Sequence, residues 1–436
     1  MTDGFATEAA AYSRRWRTAA EALGALPPKP ARTPAQADNA ARLLADARAG
    51  RERFLSDHAV RLYRALTGDF TRFLRIEQIV YEAADLVPGL VPTRAQVAAE
   101  AALRQADKDG LEIDQGLLLA HILADPACGR HLCHAMLLPR PEAEALLPQL
   151  LRDGIVELPT ARISRLGNAT LVTTRNPRFL NAEDEATLDD FEIAVDLATL
   201  DPASSAAVLR GATVSHPRYA GRHVFSAGIN LTHLYHGKIS FLWYLRRDLG
   251  AVNKMFRGLA VPDAPPDEWR GTTREKPWIA AVEAFAIGGG CQVLLASDYV
   301  LAERGAFMTL PARKEGIIPG AANLRLPRFT GDRIARQAIS YGRRLDCDSP
   351  EGRLICDEVA APDAMDAAIA GVIDGLTNSG AVSLVGNRRA LRIGAEPLDA
   401  FRQYMAVYAR EQAICHFSPQ LIANLERHWR AQERHA

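Results

Sequence analysis

The sequence predicts an α/β fold in which a helical N-terminal domain, residues 1–163, precedes an α/β domain with a C-terminal helical segment, residues 164–436. Three observations predict it. Apolar residues recur three and four apart through the first part, between proline-rich breaks. From about Ser164 onward, β-rich runs alternate with helical periodicity, which is typical of α/β domains. Helical periodicity returns in Pro397–Arg434.

The individual elements follow from local patterns. Ala-rich amphipathic runs predict N-terminal helices at Ala35–Leu66, Thr93–Arg104 and Glu142–Asp153. The run Ala169–Thr174 predicts a strand, and Asn181 is a good N-cap for a helix with Glu183 in its first turn. The remaining predicted elements are strands at Ala206–Leu209, Trp278–Val282, Tyr299–Ala302 and Met308–Leu310, and helices at Cys291–Ala296 and Asp332–Tyr341.

Composition excludes several classes of protein. Lys plus Arg and Asp plus Glu each total 52, so the net charge near zero argues against a dedicated nucleic-acid or membrane-surface binder. The sequence shows neither a signal peptide nor an apolar run approaching the roughly 20 residues of a membrane span. Six cysteines are scattered without zinc-ribbon spacing, and Cys128, Cys133 and His134 are wrongly spaced for a zinc site. We therefore expect a cytoplasmic protein with reduced thiols and no metal.

Two glycine-containing motifs carry the chemistry. One is Phe225–Leu231 (FSAGINL) and the other is Ala286–Gln292 (AIGGGCQ), which follows a predicted strand and opens a helix. Glycines at such a turn let backbone approach a ligand closely, and the first N–H groups of a helix have no partner within it. The dipole of the helix also favours negative charge there. Two N–H groups aimed at one oxygen would form an oxyanion hole.

The order of motifs, with Gly316–Ala321 (GIIPGA) following the glycine run, resembles the crotonase (enoyl-CoA hydratase/isomerase) superfamily over about Ser164 to Cys356. The resemblance implies a crotonase-type ββα spiral domain and an oxyanion hole formed by the N–H groups of Ile229 and Gly289. It also implies a homo-oligomer, a trimer or a hexamer.

Two departures from the superfamily matter. Its hydratases have a glutamate directly after the Gly-Gly-Gly-Cys run and a second after the proline that precedes Gly-x-Ile-Pro-Gly. Here those positions hold Gln292 and Ala312. Hydration needs a carboxylate to activate water, and neither residue can titrate. Simple enoyl-CoA hydration is therefore not expected.

Four segments are similar to the cofactor-independent dioxygenases of (3,5-dihydroxyphenyl)acetyl-CoA within that superfamily, which also carry a helical N-terminal domain. They are His216–Arg222, Gly228–Gly237, Phe241–Gly258 and Leu310–Arg328. The similarity implies that the substrates are an arylacetyl-CoA and O₂, with no metal or flavin cofactor. Its products would be (3,5-dihydroxyphenyl)glyoxylate and free CoA, in the supply of dihydroxyphenylglycine for glycopeptide antibiotics.

The same resemblance assigns residues. Glu183, Arg247 and Gln292 would surround substrate and oxygen, and Ala312, Ile317 and Pro319 would wall the oxygen pocket. CoA and substrate contacts carry over to His216, Arg218, Tyr219, Arg222, Gly228, Asn230, Leu231 and His233.

Other interpretations stay open at this point. Arg246 competes with Arg247 for the active-site role, Glu183 also suits a first helical turn, and Arg247 could simply pair with Asp248. The segment from Leu231 to Arg274 could be a helical lid, a pocket wall or a packing insertion. A crotonase-type thioesterase, an isomerase or a non-catalytic CoA-binding homologue are the alternative functions.

Overall fold

The computed structural model describes residues 3–264, 268–270 and 273–435. By its internal contacts the chain forms two compact units. The helical unit comprises Met1–Met136, Thr232–Leu245 and Arg402–Ala436, and the sheet unit comprises Leu137–Leu231 and Arg246–Phe401. The division expected between residues 163 and 164 stays a prediction.

The helices are, in chain order, α1 (Asp3–Gly24), α2 (Pro34–Leu66), α3 (Ile76–Leu86), α4 (Arg94–Ala101), α5 (Ile113–Ala124), α6 (Pro126–Leu137), α7 (Pro141–Asp153), α8 (Glu185–Leu200), α9 (Leu231–Tyr235), α10 (Phe241–Arg246), α11 (Val252–Arg257), α12 (Gly289–Leu294), α13 (Ala312–Glu315), α14 (Ala322–Tyr341), α15 (Met365–Thr377), α16 (Ala381–Ala395), α17 (Leu398–His416) and α18 (Pro419–Trp429). A π-helical turn, Arg247–Ala251, joins α10 to α11.

The strands are β1 (Ile155–Glu157), β2 (Ala161–Leu166), β3 (Ala169–Thr174), β4 (Ala206–Gly211), β5 (Leu259–Ala260), β6 (Thr273–Arg274), β7 (Trp278–Val282), β8 (Phe285–Ile287), β9 (Tyr299–Glu303), β10 (Phe307–Thr309), β11 (Leu345–Asp346) and β12 (Glu358–Ala360). A seven-stranded sheet has the order β1-β2-β3-β4-β7-β9-β12. It is antiparallel as far as β3 and parallel from β3 onward. A smaller sheet has the order β11-β10-β8, and β5 pairs with β6.

Apolar side chains cover both faces of the large sheet. Along β4, Ala207 and Leu209 pack in the cluster that includes α8, whereas Val208 packs in the cluster that includes α15. Successive side chains of a strand point to opposite faces, so a strand that is covered on both faces reads as a continuous apolar run. This arrangement holds the ends of the parallel strands, and the turns that follow them, in place.

The predicted α/β fold is confirmed, with helices at both ends of the chain. The predicted N-cap at Asn181 is wrong: α8 begins at Glu185, and Asp184 caps it by accepting a hydrogen bond from Ala186 N–H at 3.2 Å. The side chain of Asn181 instead donates to the carbonyl oxygens of Ala212 and Val224, both at 2.8 Å. Glu183 therefore precedes the helix.

Within the described residues, no single helix is long and apolar enough to span a membrane, although the bent pair Pro362–Thr377 and Val382–Ala395 meets that test when joined. All six cysteines are free, and Cys128 and Cys133 are buried. Part of the segment predicted between Leu231 and Arg274, namely 265–267 and 271–272, lies outside the described residues.

The sheet unit contains a buried cluster of ion pairs around Glu396. Glu396, at the end of α16, accepts hydrogen bonds from Arg325 at 2.9 Å, Arg328 at 2.7 Å and Arg257 at 3.2 Å. Burial alone would raise the pKa of Glu396, but Arg325, followed by Arg257, outweighs burial and lowers that pKa to about 2.

Replacing Glu396 by Gln leaves buried arginines without their counter-charge. We expect Glu396→Gln to lower the free energy of unfolding by about 3–5 kcal/mol near pH 7. Because the folded-state pKa is depressed, the stabilisation is present above about pH 4.5 and is lost as the pH falls towards 2, so the two proteins should converge there. Urea unfolding measures both variants. The control is Asp332→Asn, which breaks the exposed pair with Arg336 and should lower the free energy of unfolding by less than about 1 kcal/mol. Equal losses in the two variants would contradict the prediction.

Candidate active site

The guanidinium of Arg247 is the centre of the candidate site. Its side chain is 2% exposed, and Nη1 donates to Gln292 Oε1 and to Asp248 Oδ1, both at 2.9 Å. Nη2 donates to Glu183 Oε1 at 3.1 Å and to the carbonyl oxygen of Gly289 at 2.8 Å, while Nε donates to Glu183 Oε2. Paired hydrogen bonds between a guanidinium and a carboxylate fix both groups in one plane.

Three different parts of the sheet unit deliver these groups. Glu183 lies just before α8, Arg247 opens the π-helical turn, and Gln292 lies on α12. A π-helical turn inserts an extra residue into a helix and is frequent at functional sites. The residues that the sequence assigned to the reaction centre therefore come together around one cation.

The two predicted oxyanion residues, Ile229 and Gly289, lie beside this network. Glu183 N–H donates to Gly228 O at 2.7 Å and Asn230 N–H donates to Glu183 O at 2.8 Å. Because a trans peptide directs its C=O and N–H to opposite sides, the N–H of Ile229 points away from Glu183. Gly289 is the first residue of α12, where the N–H has no partner within the helix. The Ile229 N–H thus points away from the bridge to Glu183, and the Gly289 N–H lies outside the hydrogen bonds of α12.

Glycine is required at both turns for lack of space. Gly228 has a φ of +77°, and a Cβ there would lie 3.0 Å from Gly289 N and 2.6 Å from Ile287 O. A Cβ on Gly289 would lie 2.5 Å from Glu183 Oε1 and 3.0 Å from Arg247 Nη2. The glycine run therefore brings the two N–H turns together and also leaves room for the Glu183–Arg247 pair.

Asp248 belongs to the candidate site, although the sequence did not predict it there. The sequence suggested only that Asp248 could form an ion pair with Arg247. Its side chain is 2% exposed and accepts from Arg247. Burial raises the pKa of the Asp248 carboxyl, and Arg247 opposes that rise. A Cβ at Gly320 would lie 1.7 Å from Asp248 Oδ2, so Asp248 also touches the loop that follows α13. The only sequence signal was its position directly after the arginine.

The structure separates the two candidate arginines. Arg246 donates to Asp189 at 2.5 Å and lies 3.6 Å from Glu185, both on α8. Arg247 contacts Glu183 and Gln292.

The predicted oxygen-pocket residues lie on the segment after β10. Gly288 N–H donates to Thr309 O at 2.9 Å, which places the end of β10 beside the glycine run. Ala312 and Pro319 are buried and Ile317 is half-buried. Their role as the oxygen wall stays a prediction. The same segment carries a buried carboxyl, Glu315, whose pKa burial raises to about 7.

The predicted CoA contacts are spread more widely. His216 and Arg218 are exposed in a turn, with Arg218 over the ring of Tyr219. Arg222 pairs with Glu303 at 2.9 Å. The side chain of Asn230 is buried and donates to Asp184 Oδ2 at 3.0 Å, so it supports the fold around Glu183. Leu231 ends the first part of the sheet unit and His233 belongs to the helical unit, and their contacts with CoA stay predictions.

Cys291 is not placed as a nucleophile. Burial raises the pKa of its thiol to about 12, so the reactive thiolate is scarce at neutral pH. Cys291 is buried in the apolar cluster of the sheet unit, and packing is the role that this environment supports.

Comparison with known proteins establishes the family. The profile described as enoyl-CoA hydratase/isomerase matches residues 267–406. A protein of Amycolatopsis orientalis named (3,5-dihydroxyphenyl)acetyl-CoA 1,2-dioxygenase is 47% identical over 406 residues, covering 93% of this chain and 92% of that protein. The chain belongs to the crotonase family.

Other crotonases match a smaller part of the chain. A probable enoyl-CoA hydratase of Rhizobium meliloti (strain 1021) is 28% identical over 212 residues, covering 47% of this chain and 70% of that protein. The crystal structure of an enoyl-CoA hydratase from Mycobacterium avium subsp. paratuberculosis K-10 superposes with a TM-score of 0.51 at 20% identity. It covers 62% of this chain and 98% of that one, which shows the shared crotonase fold.

The raised pKa of Glu315 predicts a pH-dependent stability. Between the unfolded value near 4.5 and the folded value near 7, the folded state holds a proton that the unfolded state releases, so stability falls as the pH rises through this range. We expect Glu315→Gln to be more stable than the parent protein at pH 8, by on the order of 3 kcal/mol at most. At pH 4 the advantage should disappear. Thermal unfolding from pH 4 to 8 measures this, with the exposed Glu21→Gln as control, and an unchanged pH profile in Glu315→Gln would refute it.

Proposed function

We propose that this crotonase is a cofactor-independent dioxygenase that converts (3,5-dihydroxyphenyl)acetyl-CoA and O₂ into (3,5-dihydroxyphenyl)glyoxylate and free CoA. One observation carries the proposal. The glycine turn that would supply the oxyanion hole is present at Gly289, but the residue after Cys291 is a glutamine held by Arg247 rather than a free carboxylate. The site can stabilise an enolate oxygen but lacks the usual pair for adding water. The 47% identity to the dioxygenase of Amycolatopsis orientalis supports the same reaction.

The reaction begins at the carbon between the thioester and the aromatic ring. Loss of its proton gives an enolate whose oxygen would accept hydrogen bonds from the N–H groups of Ile229 and Gly289. Preorganised donors of this kind are each worth about 2.7–4 kcal/mol in related acyl-transfer sites. The enolate is conjugated with an electron-rich ring, so it can pass one electron to O₂.

The oxygen steps balance without a further reductant. The carbon radical and superoxide combine to form a peroxide at the α-carbon. The terminal peroxide oxygen attacks the thioester carbonyl and expels CoA as its thiolate. Cleavage of the O–O bond with loss of the second α-hydrogen as a proton leaves the α-keto carboxylate. Both oxygen atoms of O₂ thus enter the product, and the protein supplies geometry and exclusion of water.

The side chains around Arg247 suit a hydroxylated aromatic ring. Arg247 orients Glu183 and takes the Oε1 of Gln292 as its acceptor. This leaves the Gln292 amide nitrogen to donate to a ligand, while the carboxylate of Glu183 can accept from a phenolic hydroxyl. Apolar Ala312, Ile317 and Pro319 would line the path of oxygen.

From the similarity to the dioxygenase we also infer the CoA contacts, the cellular location and the oligomeric state. The turn with Arg218 and Arg222 would contact the CoA arm, and the enzyme would act in the cytoplasm, in dihydroxyphenylglycine supply for glycopeptide antibiotics. A homo-oligomer, trimer or hexamer, would cover exposed apolar residues of the sheet unit such as Tyr341 and Leu391. The solution mass of the purified protein tests this last point.

Oxygen consumption decides the function. With (3,5-dihydroxyphenyl)acetyl-CoA and a metal chelator, we expect equal rates of O₂ uptake and CoA release in air, and no CoA release under nitrogen. Under ¹⁸O₂ the arylglyoxylate should gain two labelled atoms by mass spectrometry. CoA release that proceeds equally under nitrogen would instead identify a thioesterase. Isomerisation without CoA release would identify an isomerase, and binding without turnover a non-catalytic homologue.

Conservative exchange at the two adjacent arginines separates the active-site residue from its neighbour. Lysine cannot reproduce the several directed contacts of the Arg247 guanidinium, so Arg247→Lys should lower kcat by about 10²-fold or more. Arg246→Lys keeps a cation near Asp189 and should stay within about 3-fold of the parent enzyme. Steady-state kinetics at saturating O₂ measures both. A larger loss in Arg246→Lys would reverse the assignment.

A further inference from the structure

Two reaction-centre residues flank a segment that belongs to the other unit. Ile229 and Arg247 lie in the sheet unit, but most of the chain between them, Thr232–Leu245, belongs to the helical unit. We call Thr232–Leu245 the connecting segment. Whatever holds it therefore acts, along the chain, on the residues before and after it.

Two buried charged side chains of the helical unit hold the backbone of the connecting segment. Lys108 Nζ donates to Gly237 O at 2.8 Å, and Glu112 Oε2 accepts from Phe241 N–H at 2.7 Å. Lys108 is 2% exposed and Glu112 is 1% exposed. A Cβ at Gly237 would lie 2.1 Å from Leu103 O, so the segment sits tightly against this part of the unit. Hydrogen bonds to buried charged groups are about twice as strong as those between neutral groups.

Glu112 bonds at a position that fixes the start of a helix. Phe241 is the first residue of α10, where a backbone N–H has no partner within the helix, and a carboxylate there also interacts favourably with the helix dipole. Arg247 follows within two helical turns, at the start of the π-helical turn. The point at which α10 begins therefore affects where the guanidinium of Arg247 is delivered.

Side-chain contacts hold the segment at two further points. Tyr235 OH donates to Glu426 Oε1 at 2.8 Å. Tyr244 OH is 3.3 Å from Nδ1 of the buried His416. The connecting segment is thus fixed near both ends and in its middle by the helical unit.

We propose that Glu112 and Lys108 are positioning residues for the reaction. Glu112 fixes the start of α10 and Lys108 fixes the turn before it. Because α10 runs directly into the π-helical turn that begins at Arg247, the two residues thereby set the place of the Arg247 guanidinium. The proposal rests on the function proposed above. Misplacing a reacting group by about 1 Å can cost about 10²-fold in rate, so small shifts of the segment should be visible in turnover.

Kinetics of matched variants tests this proposal. In Glu112→Ala we expect kcat to fall about 10–100-fold while KM for the acyl-CoA changes less than about 3-fold. Glu112→Gln keeps an oxygen acceptor for Phe241 N–H and should recover kcat to within about 3-fold of the parent enzyme. Tyr63→Phe is the control, because it removes a buried hydrogen bond to His131 in the same unit and should lower the Tm but not kcat. A raised KM with unchanged kcat in Glu112→Ala would overturn the proposal, as would equal kcat values in Glu112→Ala and Tyr63→Phe.

Amide hydrogen exchange provides a readout that does not depend on the reaction. Exchange in peptides covering residues 241–251 should be at least about 5-fold faster in Glu112→Ala than in Tyr63→Phe at the same margin below Tm. If the parent protein consumes no oxygen, the proposed function fails. The exchange measurement still tests whether Glu112 holds the start of α10. Unchanged exchange in Glu112→Ala would overturn the positioning role in either case.

Discussion

The buried guanidinium of Arg247 is the constraint around which the site is arranged. An arginine that is removed from water needs acceptors for its donors and a counter-charge, and losing a partner of a buried pair typically costs about 3–5 kcal/mol. Glu183, Asp248, Gln292 and the carbonyl oxygen of Gly289 meet that need. This explains Gln292 on physical grounds. A glutamate there would place a third carboxylate around one cation, whereas glutamine accepts the same hydrogen bond without charge.

The same constraint links the lost hydratase chemistry to the retained enolate chemistry. The carboxylate of Glu183 is committed to Arg247, so it is poorly placed to activate water. The N–H groups of Ile229 and Gly289 take no part in the hydrogen bonds described around Arg247, and in the proposed reaction they would face the substrate oxygen. A site of this kind stabilises negative charge on a thioester oxygen without delivering water to the neighbouring carbon. An enolate that persists without being trapped by water can react with oxygen.

The sequence was informative about features that neighbouring residues determine. It was less informative about features that depend on contacts between residues far apart in the chain. The strand Ala169–Thr174, the glycine turn at Gly289 and the place of Gln292 could all be predicted, because neighbouring residues determine them. The N-cap was misassigned to Asn181, since the distant carbonyl oxygens that occupy its side chain are invisible in sequence. The choice between Arg246 and Arg247 could not be made, because a π-helical turn changes which residues share a helix face. Asp248 was missed for the same reason.

The two kinds of relative match different shares of this chain. The match with the solved hydratase structure covers 98% of the hydratase but 62% of this chain. The hydratase fold is therefore complete without the rest of this chain. The dioxygenase relative matches 93% of the chain and therefore shares most of that remainder as well. Arg247 itself lies in the sheet unit, and the chain just before it, Thr232–Leu245, belongs to the helical unit. The part of the chain beyond the hydratase fold is thus shared with the relative that is named as a dioxygenase, which links that part to the dioxygenase branch rather than to the fold common to all crotonases.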